Sequence, residues 1–301
     1  RGKPVAVVPL MADSTCCIAV SYEGKAFGVK TGTLIGEARR LCPAMKFIVG
    51  DHSNYVRYHN KIVEAVESCV PVDSVCSIDE MACRLTGYQR DVQVAGELAA
   101  GIKAAIKEKV GSSLKCSVGL GPNRYLAKIA ADMKKPDGFT VIQPCDLPEF
   151  LYQLKLRNLT GVGKKTEERL IRNGITSMKQ LLSLSPEEMN EAWGSVCGGE
   201  MWHLLRGENL VIKETVQKSI SHSHVLPPEL RNKAGALRIL KKLTDKAATR
   251  LRKEGFFASG LNIYVRFLGQ SAWQARCNLM ETQDTPAFIH AIKTLWKELP
   301  Q

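Results

Sequence analysis

Val70-Pro-Val-Asp-Ser-Val-Cys-Ser-Ile-Asp-Glu80 decides how this chain is read, because an apolar, strand-like run ends there in two adjacent carboxylates. Neighbouring side chains on a regular strand point to opposite faces. Asp79 and Glu80 can therefore converge on one ion only where the strand ends or bends. Mg²⁺ is a hard ion that takes one or two such carboxylates and completes its shell with substrate phosphates. For a bare dipeptide the plainer account is an exposed Asp-Glu pair in a turn. Three further segments, each suited to handling phosphate, weigh against that account.

The first runs from Gly119 to Gly138. Cys116–Leu120 reads as a strand, and Pro122 stands where a first helical position is expected. Leu126, Ile129, Ala130 and Met133 then repeat at helical spacing, and Pro136 with Gly138 stops the helix. Lys134 and Lys135 fall at its C-terminal end, where a cation complements the helix dipole. A dinucleotide-binding reading of Gly119-x-Gly121 fails, because Arg124 stands where the third glycine is needed. The second segment is Leu159-Thr-Gly-Val-Gly-Lys-Lys-Thr-Glu-Glu-Arg-Leu-Ile-Arg-Asn-Gly-Ile175. A P-loop is rejected, since position 158 is Asn where that motif needs glycine. What remains is helix, Gly-x-Gly hairpin and helix, stopped by Asn173-Gly174. Glycines admit a ligand close to the backbone, and N–H groups at a helix start can hold phosphate oxygen. This resembles a helix-hairpin-helix element, which grips DNA backbone without reading bases. The third segment, Tyr22-Glu-Gly-Lys-Ala-Phe-Gly-Val-Lys-Thr-Gly32, says little alone.

Together and in this order, these segments resemble a Y-family translesion DNA polymerase of the bacterial polymerase IV-like branch. The resemblance starts at Arg1-Gly-Lys-Pro-Val-Ala-Val-Val8 and includes the Tyr-Glu segment, Ser-Ile-Asp-Glu and Leu-Ala-Lys-Ile-Ala-Ala-Asp-Met-x-Lys-Pro. The hairpin and Lys218-Ser-Ile220 complete it. It implies an α+β, multidomain fold. Residues 1–50 match the fingers, 51–142 a ferredoxin-like palm, and 143–210 a helical thumb with the helix-hairpin-helix. Residues 211–218 read as a linker and 219–301 as an α/β little finger.

Within the palm, Val56–Val70 and Val94–Val110 read as helices, and Asp79 and Glu80 sit on a hairpin. The strand before Lys135's helix and Phe139–Ile142 after it are expected in one antiparallel sheet. In the last domain, Leu237, Leu240, Leu243, Ala247 and Leu251 give one helix an apolar face. Its other face carries Arg238, Lys241, Lys242, Lys246, Arg250 and Lys253, a charge run that solvation alone can explain. Strands Leu261–Phe267 and Ala272–Leu279 alternate apolar with polar residues, and Pro286–Leu299 reads as a final helix.

The implied chemistry is transfer of a deoxynucleotide to a primer 3′ end, with two Mg²⁺ ions and Mn²⁺ as a substitute. Asp79 and Glu80 map onto two of the family's three metal carboxylates. Tyr22, Lys25 and Lys135 map onto contacts to the deoxynucleoside triphosphate. Gly161, Val162, Gly163, Lys164, Ser219, Arg266 and Arg276 map onto primer–template DNA contacts. Three departures stand out: Lys25 replaces a usual Arg, so a point ammonium takes the place of a guanidinium fork; Ala19 replaces a hydroxyl-bearing residue; and Met81-Ala82 replaces a small-then-aromatic pair. The resemblance places the third carboxylate and an aromatic steric gate on a strand upstream of Arg1, so the fragment alone is expected to extend primers poorly. A sliding clamp is expected to bind a C-terminal tail beyond Gln301. The reading from another class is a non-catalytic polymerase-like scaffold that binds DNA and assists another polymerase. Two carboxylates kept beside bound DNA favour the enzyme.

Composition agrees with a polyanionic partner. The formal charge is +12, and residues 219–301 hold 13 Lys and Arg against 6 Asp and Glu, more than half of that excess. With 45% hydrophobic residues over 301 positions, several packed cores are expected. Ten cysteines without a C-x-x-C pair argue for reduced thiols in a cytoplasmic compartment, and the family resemblance implies a bacterial, nucleoid-associated one. Cys16, Cys17, Cys69, Cys76, Cys83 and Cys116 are expected to act as small core residues. No apolar run approaches a membrane span.

Overall fold

A computed structural model describes residues 2–211 and 218–300. Most of the expected linker 211–218 therefore lies outside the described residues. The chain divides into two units, Arg1–Gly50 with Glu214–Gln301, and Asp51–Lys213.

The N-terminal part of the first unit has a small three-stranded sheet. Strand β1 (Val5–Val8) pairs antiparallel with β2 (Ala19–Val20) and parallel with β3 (Lys46–Val49), in the order β2-β1-β3. Between β2 and β3 lie a one-turn helix α1 (Tyr22–Lys25) and α2 (Ile35–Leu41). Ala6, Val8, Cys17, Ile35 and Ala38 are fully buried and form its core.

The second unit opens with α3 (His52–Glu67). It starts before the expected Val56 because the Asp51 carboxylate caps the N–H groups of Ser53 and Asn54 at 2.9 and 3.4 Å. Strands β4 (Ser74–Val75) and β5 (Met81–Ala82) form a hairpin, and α4 (Val92–Lys109) packs on α3 through Ala65, Val66, Ala105 and Ile106. Strand β6 (Val118–Leu120), α5 (Arg124–Met133) and β7 (Phe139–Val141) follow. Here the pairing differs from expectation: β6 and β7 are parallel and form their own two-stranded ladder. A strand–helix–strand crossover returns the chain in the same direction, which favours a parallel pair. Pro122 does not open α5. Asn123 caps it, accepting from Leu126 N at 2.8 Å, while its amide nitrogen donates to Leu204 O and Glu208 O at 2.8 Å each.

Helices α6 (Lys164–Arg172), α7 (Met178–Leu182), α8 (Pro186–Trp193) and α9 (Cys197–Leu205) complete this unit. Their buried Leu170, Met178, Leu181, Met189 and Leu205 share one core with Leu126, Ile129 and Ile142. The palm–thumb boundary expected at 142/143 thus runs through continuous packing. Gly119 and Gly121 let β6 lie directly on α5: a Cβ on Gly119 would meet Ala127 O at 2.0 Å.

The C-terminal part of the first unit consists of α10 (Lys233–Lys253), β8 (Ala258–Val265), β9 (Trp273–Thr282) and α11 (Thr285–Leu295). The antiparallel hairpin buries Ile263 and Ala275 against α10 and α11. The expected final helix Pro286–Leu299 is α11 followed by a 3₁₀ turn, Trp296–Glu298. Arg231 Nη1 donates to Ser14 Oγ at 2.7 Å, joining the two parts of this unit. All ten cysteines are free. Cys76, expected in the core, is exposed because it lies past the end of β4 in the hairpin loop. Among the described residues no helix is long and apolar enough to cross a membrane.

Candidate active site

Asp79 and Glu80 lie in the loop that joins β4 to β5. The loop closes through its main chain, with Cys76 N and Ser77 N donating to Glu80 O at 2.8 and 3.0 Å. Ser77 Oγ donates to Asp79 Oδ1 at 2.8 Å and also accepts from Asp79 N at 3.3 Å. From α3, His59 Nδ1 lies 2.8 Å from Ile78 O and donates to it as the Nδ1–H tautomer. Asp79 is exposed and Glu80 half-buried.

Helix α5 faces this loop with its charged side. Its opposite side buries Leu126, Ile129 and Ala130, which leaves Lys128, Asp132 and the nearby Lys135 on one edge. Lys128 Nζ donates to Glu80 Oε1 and lies 3.1 Å from Asp132 Oδ2. Lys135 Nζ is 2.6 Å from Asp132 Oδ1. Arg124 Nη1 donates to Ser74 Oγ at 3.2 Å, a second tie between α5 and the hairpin. Partial burial alone would lower the Lys128 ammonium, but its bonds to Glu80 and Asp132 outweigh burial and raise it. Burial would likewise raise Asp132, yet hydrogen bonds from Lys135 and Lys128 hold it below the usual range. Sequence reasoning missed Lys128 and Asp132. Their signal was available: positions 128, 132 and 135 are spaced as neighbours on one helix edge.

Asp79 and Glu80 suit a hard divalent cation by donor chemistry, and the Lys128 ammonium on Glu80 shows that this carboxylate accepts a cation. No group of three or more His, Cys, Asp or Glu fit to hold a metal occurs among the described residues. A cation here would draw further ligands from outside the described residues, water and phosphate oxygens among them.

Tyr22 and Lys25 belong to the other unit, on the single turn of α1. Ser21 caps that turn by accepting from Gly24 N, and Lys25 Nζ sits 4.6 Å from the centre of the half-exposed Tyr22 ring. At the hairpin before α6, Gly161 has φ +90° and Gly163 is the N-cap, both with open space where a Cβ would stand. The first N–H groups of α6 have no intrahelical partner. Val162 turns its side chain into the core, so only its backbone remains available outward. Lys164 is exposed, 3.8 Å from Glu168. On the hairpin of β8 and β9, Tyr264 and Arg276 lie exposed on the face opposite Ile263, with Asn262 opposite Arg276 in register. Arg266 follows β8 immediately and is exposed, and Ser219 lies in an irregular exposed stretch.

Residues 1–132 match the impB/mucB/samB family, 144–175 the IMS family HHH motif, and 217–301 the impB/mucB/samB family C-terminal domain. DNA polymerase IV of Moorella thermoacetica is 34% identical over 274 residues, covering 88% of this chain and 67% of that protein. DNA polymerase IV of Pelotomaculum thermopropionicum is 37% identical over 205 residues, 68% of this chain and 50% of that protein. The chain thus spans from half to about two thirds of the length of these curated relatives. Among solved structures it is similar to a Y-family DNA polymerase chimera of Dbh and Dpo4, with TM-score 0.83 and 24% identity over 99% of this chain and 87% of that one. An insertion ternary complex of Dbh DNA polymerase matches with TM-score 0.60 and 23% identity, over 99% and 86% of the two chains. At these identities the structural likeness establishes the fold. Matched along nearly its whole length, this chain belongs to the impB/mucB/samB family.

Proposed function

We propose that the chain forms the catalytic part of a template-directed translesion DNA polymerase, which joins a deoxynucleotide to a primer 3′ end opposite damaged template. The observation that supports it most is the α5 edge set against the carboxylate loop, with Lys128 on Glu80 and Asp132 between Lys128 and Lys135. Negative charge for cations and positive charge for phosphates then stand side by side in one unit. Divalent cations, Mg²⁺ with Mn²⁺ as a substitute, would on binding acidify the primer hydroxyl and offset charge on the departing pyrophosphate. Asp79 and Glu80 would hold them. Lys135, Tyr22 and Lys25 bind and orient the triphosphate; the primer hydroxyl gives up its proton to water, its oxygen bonds to the α-phosphorus, and the bond from that phosphorus to the α–β bridging oxygen breaks, the oxygen leaving with pyrophosphate. The hairpin Gly161–Lys164 and the exposed groups Ser219, Arg266 and Arg276 grip primer–template backbone without reading bases. The place of action is the bacterial cytoplasm at the nucleoid, with a sliding clamp as a further partner.

The test is primer extension in Mg²⁺ by the full-length gene product. Glu80→Gln or Asp79→Asn should slow extension ~100-fold or more, since lost transition-state charge stabilisation costs several kcal/mol. Primer–template binding, read by anisotropy, should stay within a few-fold. Near-normal extension by the double substitution would refute the assignment.

A further inference from the structure

Four charged residues stand in sequence: Glu80, Lys128, Asp132 and Lys135. One ammonium, Lys128, is shared by two carboxylates. Its side chain is 28% exposed, and those of Glu80 and Asp132 are 40% and 35% exposed, so these groups have room to rearrange. Lys128 holds only Oε1 of Glu80, so a divalent cation on the same carboxylate, at roughly 2.0–2.1 Å from its oxygen, would stand beside the ammonium as a like charge and repel it. Asp132 offers Lys128 a second seat already within reach: the ammonium lies 3.1 and 3.2 Å from its two oxygens.

We propose that Lys128 is a built-in counter-cation for Glu80, and that Asp132 is the positioning residue onto which Lys128 withdraws when a divalent cation takes Glu80. The proposal rests on the reading of Asp79 and Glu80 as cation ligands. It gives Asp132 no contact with cation or substrate: its influence on the carboxylate loop passes through Lys128 alone. Without the cation, Lys128 neutralises Glu80 and prevents two adjacent carboxylates from repelling each other. With it, the ammonium remains nearby on Asp132 instead of facing the incoming charge.

The experiment is Mn²⁺ binding, followed by the electron paramagnetic resonance signal of free Mn²⁺. No nucleotide or DNA is present, so turnover plays no part. Salt is kept at physiological strength, where charges beyond about 8 Å are screened. Lys128→Met removes the internal competitor and should tighten Mn²⁺ binding about three- to fivefold, the size of a half-exposed ion pair. Asp132→Asn leaves Lys128 only Glu80 and should weaken binding by a similar factor, while Asp132→Glu should restore it. The double variant Lys128→Met with Asp132→Asn should match Lys128→Met alone. A simple net-charge effect would instead make the two changes add and return the double variant to the parent's affinity. That result, or unchanged binding in Lys128→Met, would overturn the handover. Glu80→Gln in the parent should abolish most of the binding. If it does not, the cation assignment fails and the proposal falls with it, a failure distinct from additivity. Lys128→Gln serves as a second variant if thermal melting shows Lys128→Met to be misfolded.

Discussion

Asn123 is the most informative single position for testing how the site is held, because one side chain does three jobs. Its oxygen caps α5 at Leu126 N, and its nitrogen donates to Leu204 O and Glu208 O, tying the start of α5 to the end of α9. Asn123→Ala removes all three bonds. A lost N-cap costs about 1 kcal/mol. The other two bonds are worth their net value and not a full desolvation penalty, because Leu204 O keeps a bond from Gly207 N and Glu208 is exposed to water. At about 1 kcal/mol each they bring the total to about 3 kcal/mol. Trp193 and Trp202 both lie in this unit, so tryptophan fluorescence in urea should report its unfolding. With a slope of about 2 kcal/mol/M, the midpoint should fall by about 1.5 M. Asn123→Asp keeps the cap acceptor but sets a carboxylate against two carbonyl oxygens, and should be at least as unstable as the alanine variant. A shift under about 0.3 M for Asn123→Ala, or a parent-like Asn123→Asp, would refute the tie between α5 and α9.

Gly119→Ala should destabilise the same unit by about 3 kcal/mol or more in the same urea assay, because its Cβ would meet helix main chain that cannot step aside. Asp137 takes its charge partners from Lys115 at 3.3 Å and Lys103 at 3.4 Å, and hydrogen bonding from Lys115 foremost holds its carboxyl below the ordinary 3.8. The folded state therefore binds fewer protons than the unfolded state between those two values, so the stabilisation is complete above pH 3.8 and disappears as pH falls through the lower folded value. Asp137→Asn, which tolerates the native φ of 64°, should be less stable than the parent near neutrality, and the gap should narrow as pH falls below 3.8; a gap that stays constant as the solution is acidified below that pH would sink this account. Arg266→Ala with Arg276→Ala should weaken binding to two unrelated duplexes alike and reduce the slope of log K against log salt by about 2. An unchanged slope, or an effect on one duplex only, would remove these arginines from the backbone contacts.

Where a local rule governs, the sequence could be read almost to the residue. The carboxylate pair emerged at the mouth of a hairpin because an apolar run gave way to Ser-Ile-Asp-Glu. Helix α4 was visible from its spacing, and Gly174 ends the segment after α6 with φ +78° as its motif requires. What escaped was decided by distant partners. Asn123 was passed over for Pro122 because two of its three bonds go to residues more than 80 positions away. The parallel pairing of β6 with β7 depends on the path of the intervening helix, which periodicity does not report. Lys128 stood only as one letter of the Leu-Ala-Lys-Ile run, with no role of its own, since its partner Glu80 lies 48 residues earlier. Cys76 was taken for core from its apolar neighbours, but the strand ends before it and leaves it in the loop.

The bare backbone at Gly119 and Gly121 means that β6 and α5 meet main chain to main chain, with no side chain as a spacer. The seat of Lys128 and Lys135 is then set by atoms common to every residue type. Substitutions elsewhere in the unit can loosen or tighten its core without sliding that helix along the strand. A library that randomises the apolar positions of α7, α8 and α9 should therefore yield many variants of altered melting temperature whose charged edge stays in register. A library at the two glycines should yield almost none. For anyone wishing to retune the chemistry, this divides the unit into a region that tolerates drift and a narrow seam that does not.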